Sequence, residues 1–448
     1  MDVYDLMVRY NGWWKTGDVS PEIKSYGRRH LFNEIMEYMD DRQVIAVTGL
    51  RRTGKTTLLH QVIGKLIKEG VNPGNIMYFS FDETLSGKPE LIEEILETYG
   101  ERILKSDQRK YIFFDEVHYI SKWQSMIKRY YDMDIPGDTK FFISGSASLN
   151  IKKAKESLAG RIYDFTMTTL SLFEFIGMRN FPVSQTIDKI TEGLNIWELN
   201  GSEEIFLYKQ EISAAFNEYV IKGGFPEVAG ETDIKKIHKY IKSSVVDKIV
   251  FLDISKIFSI KEPGILMEIL KSSASHPGQL IEYNKIADSL SVSRQTISNY
   301  ILYLEESFLV KLVKNYTLSY ISGTRKAKKI YPADHGITNA LQGKEVITDD
   351  FYGKLVESII ACSTGTRFFW RKKYEVDVVL ETDGGILPIE VKYTSSVSTR
   401  KLKGPIKFMD KFKVTRGIVI TKDKFMKDKL KNKDILYIPA WLFLLIYR

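Results

Sequence analysis

Cysteine is almost absent from this chain of 448 residues, and the single one, Cys362, excludes an internal disulfide and any cysteine-built zinc site. The six histidines are scattered without metal-ligand spacing, so any bound metal must rest on oxygen ligands. No run of about 18 or more uncharged apolar residues occurs, which argues against a membrane-spanning helix. The opening MDVYDLMVRYNGWW lacks the basic-then-apolar order of a signal peptide. The expectation is a cytoplasmic protein with no membrane partner. Internal repeats and low-complexity tracts are missing as well. Neither sign of charge dominates: a net charge of +8 and a pI near 9.0 are compatible with a nucleic-acid partner without requiring one.

What is present suffices for several folded domains. At roughly 150 residues per domain the length allows about three, and 44% hydrophobic residues can fill ordinary cores. The first third alternates short apolar runs with amphipathic segments, the pattern of a parallel sheet with crossover helices. Strands are predicted at QVIAVTG, NIMYFSF, YIFFDEV, KFFISGS and DFTMTTL. Between them, KTTLLHQVIGKLIKEG places Leu59, Val62, Ile63, Leu66 and Ile67 on one helical face. Helical patterns take over from about Ser171 to Ile260, as in an all-helical lid packed on that sheet. Three short helices and the strand-like FLVKLVKNYTL follow, and the basic linker SGTRKAKK introduces a last, β-rich region. The fold class is therefore multidomain α/β, with boundaries expected at 1–170, 171–260, 261–320 and 321–448.

The stretch GLRRTGKT carries the most specific chemistry. Gly49 ends a strand and Lys55 opens a helix, so the N–H groups of Gly49, Leu50, Arg51, Arg52, Thr53, Gly54, Lys55, Thr56 and Thr57 can cradle one anion. Lys55 is placed for the β- and γ-phosphates of ATP, and the Thr56 hydroxyl for Mg2+. The strand YIFFDEV ends in two acids. Asp115 is expected in the Mg2+ shell, and Glu116 as the group that polarises a water in line with the γ-phosphate. Ser144, at the end of the next strand, either positions that water or caps the following helix. Arg161, after ESLAG, either stabilises transition-state charge in a neighbouring subunit of a homo-oligomer or forms a surface ion pair.

Taken together, VTGLRRTGKTTLL, FFDEVHYISKWQ, FFISGSAS, ESLAGRI and LSLFEF resemble a family of archaeal and bacterial AAA-type ATPases. YVIKGGFPEV and KIYPADHGI resemble later blocks of the same family. The resemblance implies a P-loop ATPase core and ATP hydrolysis, and says little about a substrate. His118 departs from the family, which more often has Gln after the acidic pair.

YNKIADSLSVSRQTISNYILYLEESFLVKLV has the layout of a helix-turn-helix with a β-wing. Ile286, Ala287, Leu290, Val292, Ile297, Ile301 and Leu304 face inward, leaving Ser293, Arg294, Gln295, Ser298 and Asn299 for a DNA groove. The same module also serves as a spacer or protein-docking unit, and Glu305 and Glu306 would repel phosphate. Further on, Glu357 falls on a helix, Asp377 on a strand, and Glu390 and Lys392 on the same face of the next strand. This order resembles the PD-(D/E)XK nucleases, the Holliday-junction-resolvase branch in particular. In such a centre Asp377 and Glu390 would hold Mg2+ with the Val391 carbonyl, Lys392 would assist, and Glu357 would support. Many domains of this fold keep the shape and lose the chemistry. The lysine-dense segment from Lys401 to Lys433, interleaved with Phe408, Phe412 and Phe425, reads either as a phosphate-tracking surface or as a solvated face.

The leading expectation is an ATP-hydrolysing AAA-type protein acting on DNA, with a Mg2+-dependent nuclease centre at its far end. The alternatives are an ATP-controlled switch or adaptor with a silent nuclease fold that binds a protein, and an ATP-responsive DNA-binding regulator.

Overall fold

Five buried apolar runs come together first, in a computed structural model that describes residues 2–82, 87–104, 108–133, 138–146, 158–201, 203–318, 327–343, 347–382, 384–395, 397 and 402–447. They form β1 (Val44–Gly49), β2 (Ile76–Ser80), β3 (Lys110–Asp115), β4 (Thr139–Gly145) and β5 (Ile162–Met167). All pair in parallel, in the order β2-β3-β4-β1-β5. Parallel sheets need cover on both faces, which is why these strands read as nearly unbroken hydrophobic runs. One face buries Val44, Ala46, Met77, Phe79, Ile112, Phe114 and Ile143 against helices α2 (Glu90–Arg102) and α3 (Trp123–Met133). The other buries Ile45, Val47, Phe113, Phe142 and Phe165 against helix α1 (Lys55–Lys68), through Leu58, Leu59, Val62, Ile63 and Leu66. Register pairs Ser80 with Asp115 and Thr48 with Gly145, which sets the carboxyl ends of the strands along one edge, the usual ligand edge of an open α/β sheet.

The chain divides into two compact units: Met1–Thr168 with Glu306–Phe308, and Thr169–Glu305 with Leu309–Arg448. The expected boundaries at 260/261 and 320/321 both fall inside the second. Its sheet explains why. Strands β6 (Gln279–Leu280), β7 (Val310–Asn315) and β8 (Lys328–Pro332) join β9 (Phe368–Arg371), β10 (Glu375–Thr382), β11 (Gly385–Val391), β12 (Arg416–Thr421), β13 (Met426–Leu430) and β14 (Lys433–Pro439). The order is β13-β14-β12-β11-β10-β9-β7-β8-β6, so the parallel pairing of β7 with β9 fuses β6, β7 and β8 to the β-rich region.

The helical segment after Thr169 belongs to this unit too. Leu172, Phe175 and Ile176 of α4 (Leu172–Met178) and Ile212, Phe216 and Tyr219 of α5 (Lys209–Lys222) share one core with the sheet. That core also takes in α10 (Asp349–Ser363) and α12 (Ala440–Ile446). The lid expected on the first sheet thus buries its apolar face in the second unit, where α12 supplies an almost wholly apolar partner. The blocks YVIKGGFPEV and KIYPADHGI lock this core. Asp334 accepts from Thr169 Oγ1 (2.7 Å), Gly224 N (3.0 Å) and Gly336 N (2.7 Å), and Asn339 of α9 (His335–Gln342) donates to the last carbonyls of α5, those of Val220 and Ile221. Helices α6 (Pro263–Ser275), α7 (Tyr283–Ser289) and α8 (Arg294–Glu306) precede β7 in the chain, and α11 (Lys403–Phe412) packs on the sheet.

Candidate functional site

β1 runs straight into the phosphate-type loop. Gly49 has φ +143°, and a Cβ there would stand 2.2 Å from the Met167 carbonyl oxygen on β5, so the strand pairing itself demands glycine. Arg52 and Gly54 also take positive φ before α1 begins at Lys55. The buried Arg29 holds the loop, donating to the carbonyls of Thr53 and Thr168 at 2.9 Å each. It directly precedes a short helix, His30–Met36, whose apolar spacing at Leu31, Phe32, Ile35 and Met36 marks the helix but not the arginine before it.

At the carboxyl edge of the sheet the expected groups meet. The Lys55 side chain is 4% exposed; its Nζ donates to the Gly49 and Leu50 carbonyls (3.2 Å each) and lies 3.8 Å from Glu116 Oε1. Thr56 Oγ1 donates to Asp115 Oδ2 at 2.6 Å, and Tyr78 OH to the same oxygen at 2.7 Å. Ser144 Oγ donates to the other Asp115 oxygen and accepts from the backbone N of Glu116 at 3.0 Å. Ser144 therefore fixes the acid pair, while the helix it was alternatively expected to cap lies outside the described residues. Glu116 sits at φ +52°, a left-handed conformation rarely used by non-glycine residues. Its Oε2 is 3.0 Å from Nδ1 of the buried His118. Burial alone would push the Glu116 carboxyl up, but the Lys55 ammonium and His118 outweigh it and hold it at about 2. The site carries a fixed carboxylate beside a fixed ammonium, with a hard-oxygen pair, Thr56 and Asp115, of the kind Mg2+ favours.

Of the remaining loop residues, Leu50 and Thr53 are buried, and Thr53 Oγ1 closes the turn on the Leu50 carbonyl. Arg51 reaches Asp82 (3.5 Å) and Tyr119 OH (3.4 Å), whereas Arg52 is exposed and Thr57 half-buried. Arg161 lies elsewhere. Its carbonyl accepts from Val44 N at the start of β1, so the strand's six residues, roughly 17 Å, separate it from the phosphate loop. Its guanidinium is held by Asp132, with Nε donating to Oδ1 at 2.8 Å.

In the second unit, β10 and β11 pair with Val378 opposite Ile389, which sets Asp377 beside Glu390. Asp377 Oδ2 accepts from Val391 N (2.8 Å). Lys392 Nζ lies 2.6 Å from Glu390 Oε1, 3.8 Å from Asp377 Oδ2 and 3.1 Å from the Val391 carbonyl. Glu357, from α10, joins them through residues the sequence reading missed: Lys329 Nζ (3.0 Å) and Tyr331 OH (2.8 Å) both bond its Oε1. Lys329 also lies 2.6 Å from Glu375 Oε1 and 3.9 Å from Asp377 Oδ1. Burial, then the Asp377 charge, raises the carboxyls of both Glu357 and Glu390. Among the described residues no three histidine, cysteine or acidic side chains converge as a metal cage. The one available signal for Lys329 was a charged residue in the otherwise apolar KIYP run.

Of the residues expected to face inward in the helix-turn-helix layout, Ala287, Ile297, Ile301 and Leu304 are buried, whereas Ile286, Leu290 and Val292 are half-buried. Ser293, Arg294, Gln295 and Ser298 are exposed along α8 and Asn299 is half-buried, its Oδ1 accepting from Gln295 at 2.9 Å. Glu306 is buried. The aromatics of the lysine-dense segment are not an exposed ladder: Phe408 is fully buried against Phe412 and Trp370, and Phe425 packs on Phe206. Lys427 and Lys429 are exposed on β13, an edge strand, where charge discourages pairing with another chain. Lys401 lies outside the described residues.

Residues 41–176 match the family model of the AAA domain, so the first unit carries an AAA-type domain. Residues 213–347 and 353–442 match two domains of unknown function, DUF8612 and DUF4143. The chain is 23% identical to an uncharacterized protein of Haemophilus influenzae, over 93% of this chain and 98% of that one. It is 25% identical to an uncharacterized protein of Methanocaldococcus jannaschii, over 95% and 90%. Among solved structures, the Thermotoga maritima RuvB Holliday junction branch migration motor aligns over 66% of this chain and 89% of its own at 18% identity, with a TM-score of 0.29. No helix among the described residues is long and apolar enough to cross a membrane.

Proposed function

We propose that the first unit binds and hydrolyses ATP, and that the cycle acts on DNA through the second unit. The observation that carries the ATP reading is the meeting of loop and acid pair: Thr56 on Asp115 at 2.6 Å and Lys55 near Glu116 at 3.8 Å. The loop N–H groups and the amino end of α1 would receive the phosphates, and Lys55 would exchange its carbonyl partners for phosphate oxygens. Thr56 and Asp115 would hold Mg2+, which when bound supplies charge neutralisation at the β- and γ-phosphates. Glu116, ionised and anchored through Ser144, would orient the attacking water and take its proton. Positioned bases of this kind contribute about 10²–10⁴-fold.

For the second unit, the exposed polar row Ser293, Arg294, Gln295 and Ser298 supports contact with a DNA groove. A second reading, an ATP-controlled switch or adaptor that binds a protein, is favoured by the acid–lysine cluster, whose carboxylates are already engaged by protein donors. Labelled duplex, single-stranded and four-way DNA, each incubated with the protein with and without ATP and Mg2+, separates the two. DNA action requires retention at low salt, release at high salt and weakening by Arg294→Glu. Absence of retention with ATP turnover intact leaves the adaptor.

A further inference from the structure

We infer that Lys329 is a built-in cation filling the acidic centre of the second unit, so that this centre neither needs nor admits the divalent metal its nuclease-like layout implies. Glu357, Glu375, Asp377 and Glu390 are drawn together around two lysines, the first three on Lys329 and Asp377 and Glu390 on Lys392, and carboxylates gathered so require a counter-charge. The protein supplies it. The Lys329 side chain is 4% exposed, and its ammonium lies 3.0 Å from Glu357, 2.6 Å from Glu375 and 3.9 Å from Asp377, so three acids from a helix and a strand surround one charge. The ammonium sits 5.4 Å from the Phe369 ring centroid, and Tyr331 OH shares the Glu357 oxygen, so the group is built into the core.

The ligands that a metal would use are engaged in turn. The Val391 carbonyl and Glu390 Oε1 are held by Lys392, and Asp377 Oδ2 by the Val391 N–H. Among the described residues of this cluster, Glu390 Oε2 is fully buried without a hydrogen-bond partner, and a Mg2+ drawn to it would have to displace Lys392 from Glu390 and Lys329 from Glu357 and Glu375 to gain further oxygen ligands. A dication brought to this position would also meet two ammonium groups. Gly278 closes the other side: any Cβ there would stand 2.9 Å from Glu357 Oε1. This inference does not depend on the ATP reading, because it concerns a different unit.

The test is Mn2+ titration of the nucleotide-free full chain, followed by the paramagnetic resonance of free Mn2+. Wild type and Asp377→Asn are expected to titrate alike, whereas Lys329→Met gains a site that is lost again in Lys329→Met/Asp377→Asn. Loss of a Mn2+ site on going from wild type to Asp377→Asn overturns the inference. So does a folded Lys329→Met protein that gains none. Should Lys329→Met fail to fold, the comparison of wild type with Asp377→Asn decides alone.

Discussion

Thr56 Oγ1 donates to Asp115 Oδ2 across 2.6 Å, although the two residues are 59 positions apart. The contact requires β3 to stand next but one to β1 with its carboxyl end level with the loop. The strand order β3-β4-β1 provides that placement.

Lys55 stands at the centre of the binding half of this arrangement. Lys55→Ala removes a charged donor, and hydrogen bonds to charged groups are worth roughly 1.5–3 kcal/mol, so ATP affinity should fall about 10–100-fold. Anisotropy of a fluorescent ATP analogue reads this directly, and unchanged affinity would exclude Lys55 from the phosphate site.

Gly49→Ala should damage the loop without touching any side chain of the acid pair. The added methyl meets the Met167 carbonyl oxygen at 2.2 Å, and φ +143° is strained for alanine. Loss of ATP binding together with a lowered melting temperature is expected. Normal binding would show that β1 and β5 part at this point at little cost.

Arg161 lies at the opposite end of β1 from the phosphate loop, which rules out service to its own site. In a homo-oligomer it would serve a neighbour after leaving Asp132. Mixing Arg161→Ala with Lys55→Ala protein should then restore part of the turnover that each lacks alone. No restoration, with a monomeric mass by light scattering, reduces Arg161 to its ion pair with Asp132.

Lys329→Met should destabilise the protein by roughly 3–5 kcal/mol at neutral pH, the usual cost of stripping one partner from buried charges. The sign of its pH dependence follows from the neighbours. Burial opposes the Lys329 charge, but Glu357, Tyr331, Asp377 and Glu375 raise its pKa, so its contribution is fully present at neutral pH and is lost only in strong alkali. Glu357 and Glu390 are raised by burial and by Asp377, with Lys329 and Lys392 opposing, so in the variant these acids cost most when charged. The deficit should narrow as pH falls through their raised range. Melting curves across that range check it, and a deficit independent of pH would contradict the assignment.

How far the sequence revealed all this depends on how local each feature is. The phosphate loop and the acid pair sit on short stretches whose chemistry is contained in neighbouring residues, and the five parallel strands are unbroken apolar runs. Arg29 and Lys329 act through contacts with residues far away in the chain, which periodicity does not record. The fusion of β7 with β9 was hidden for the same reason: a parallel pairing between strands in separately patterned regions leaves no local mark. Glu357, Asp377, Glu390 and Lys392 were found together because their order matched a known pattern. The pattern carried no position for the lysine that neutralises them.

The central claim is ATP hydrolysis with Glu116 as the base, and steady-state ATP turnover by wild type and Glu116→Gln with Mg2+ tests it most directly. The expected result is measurable turnover by wild type and a rate at least ~100-fold lower in the variant, with ATP binding retained. Equal turnover in the two proteins, or none in wild type with ATP bound, would contradict it.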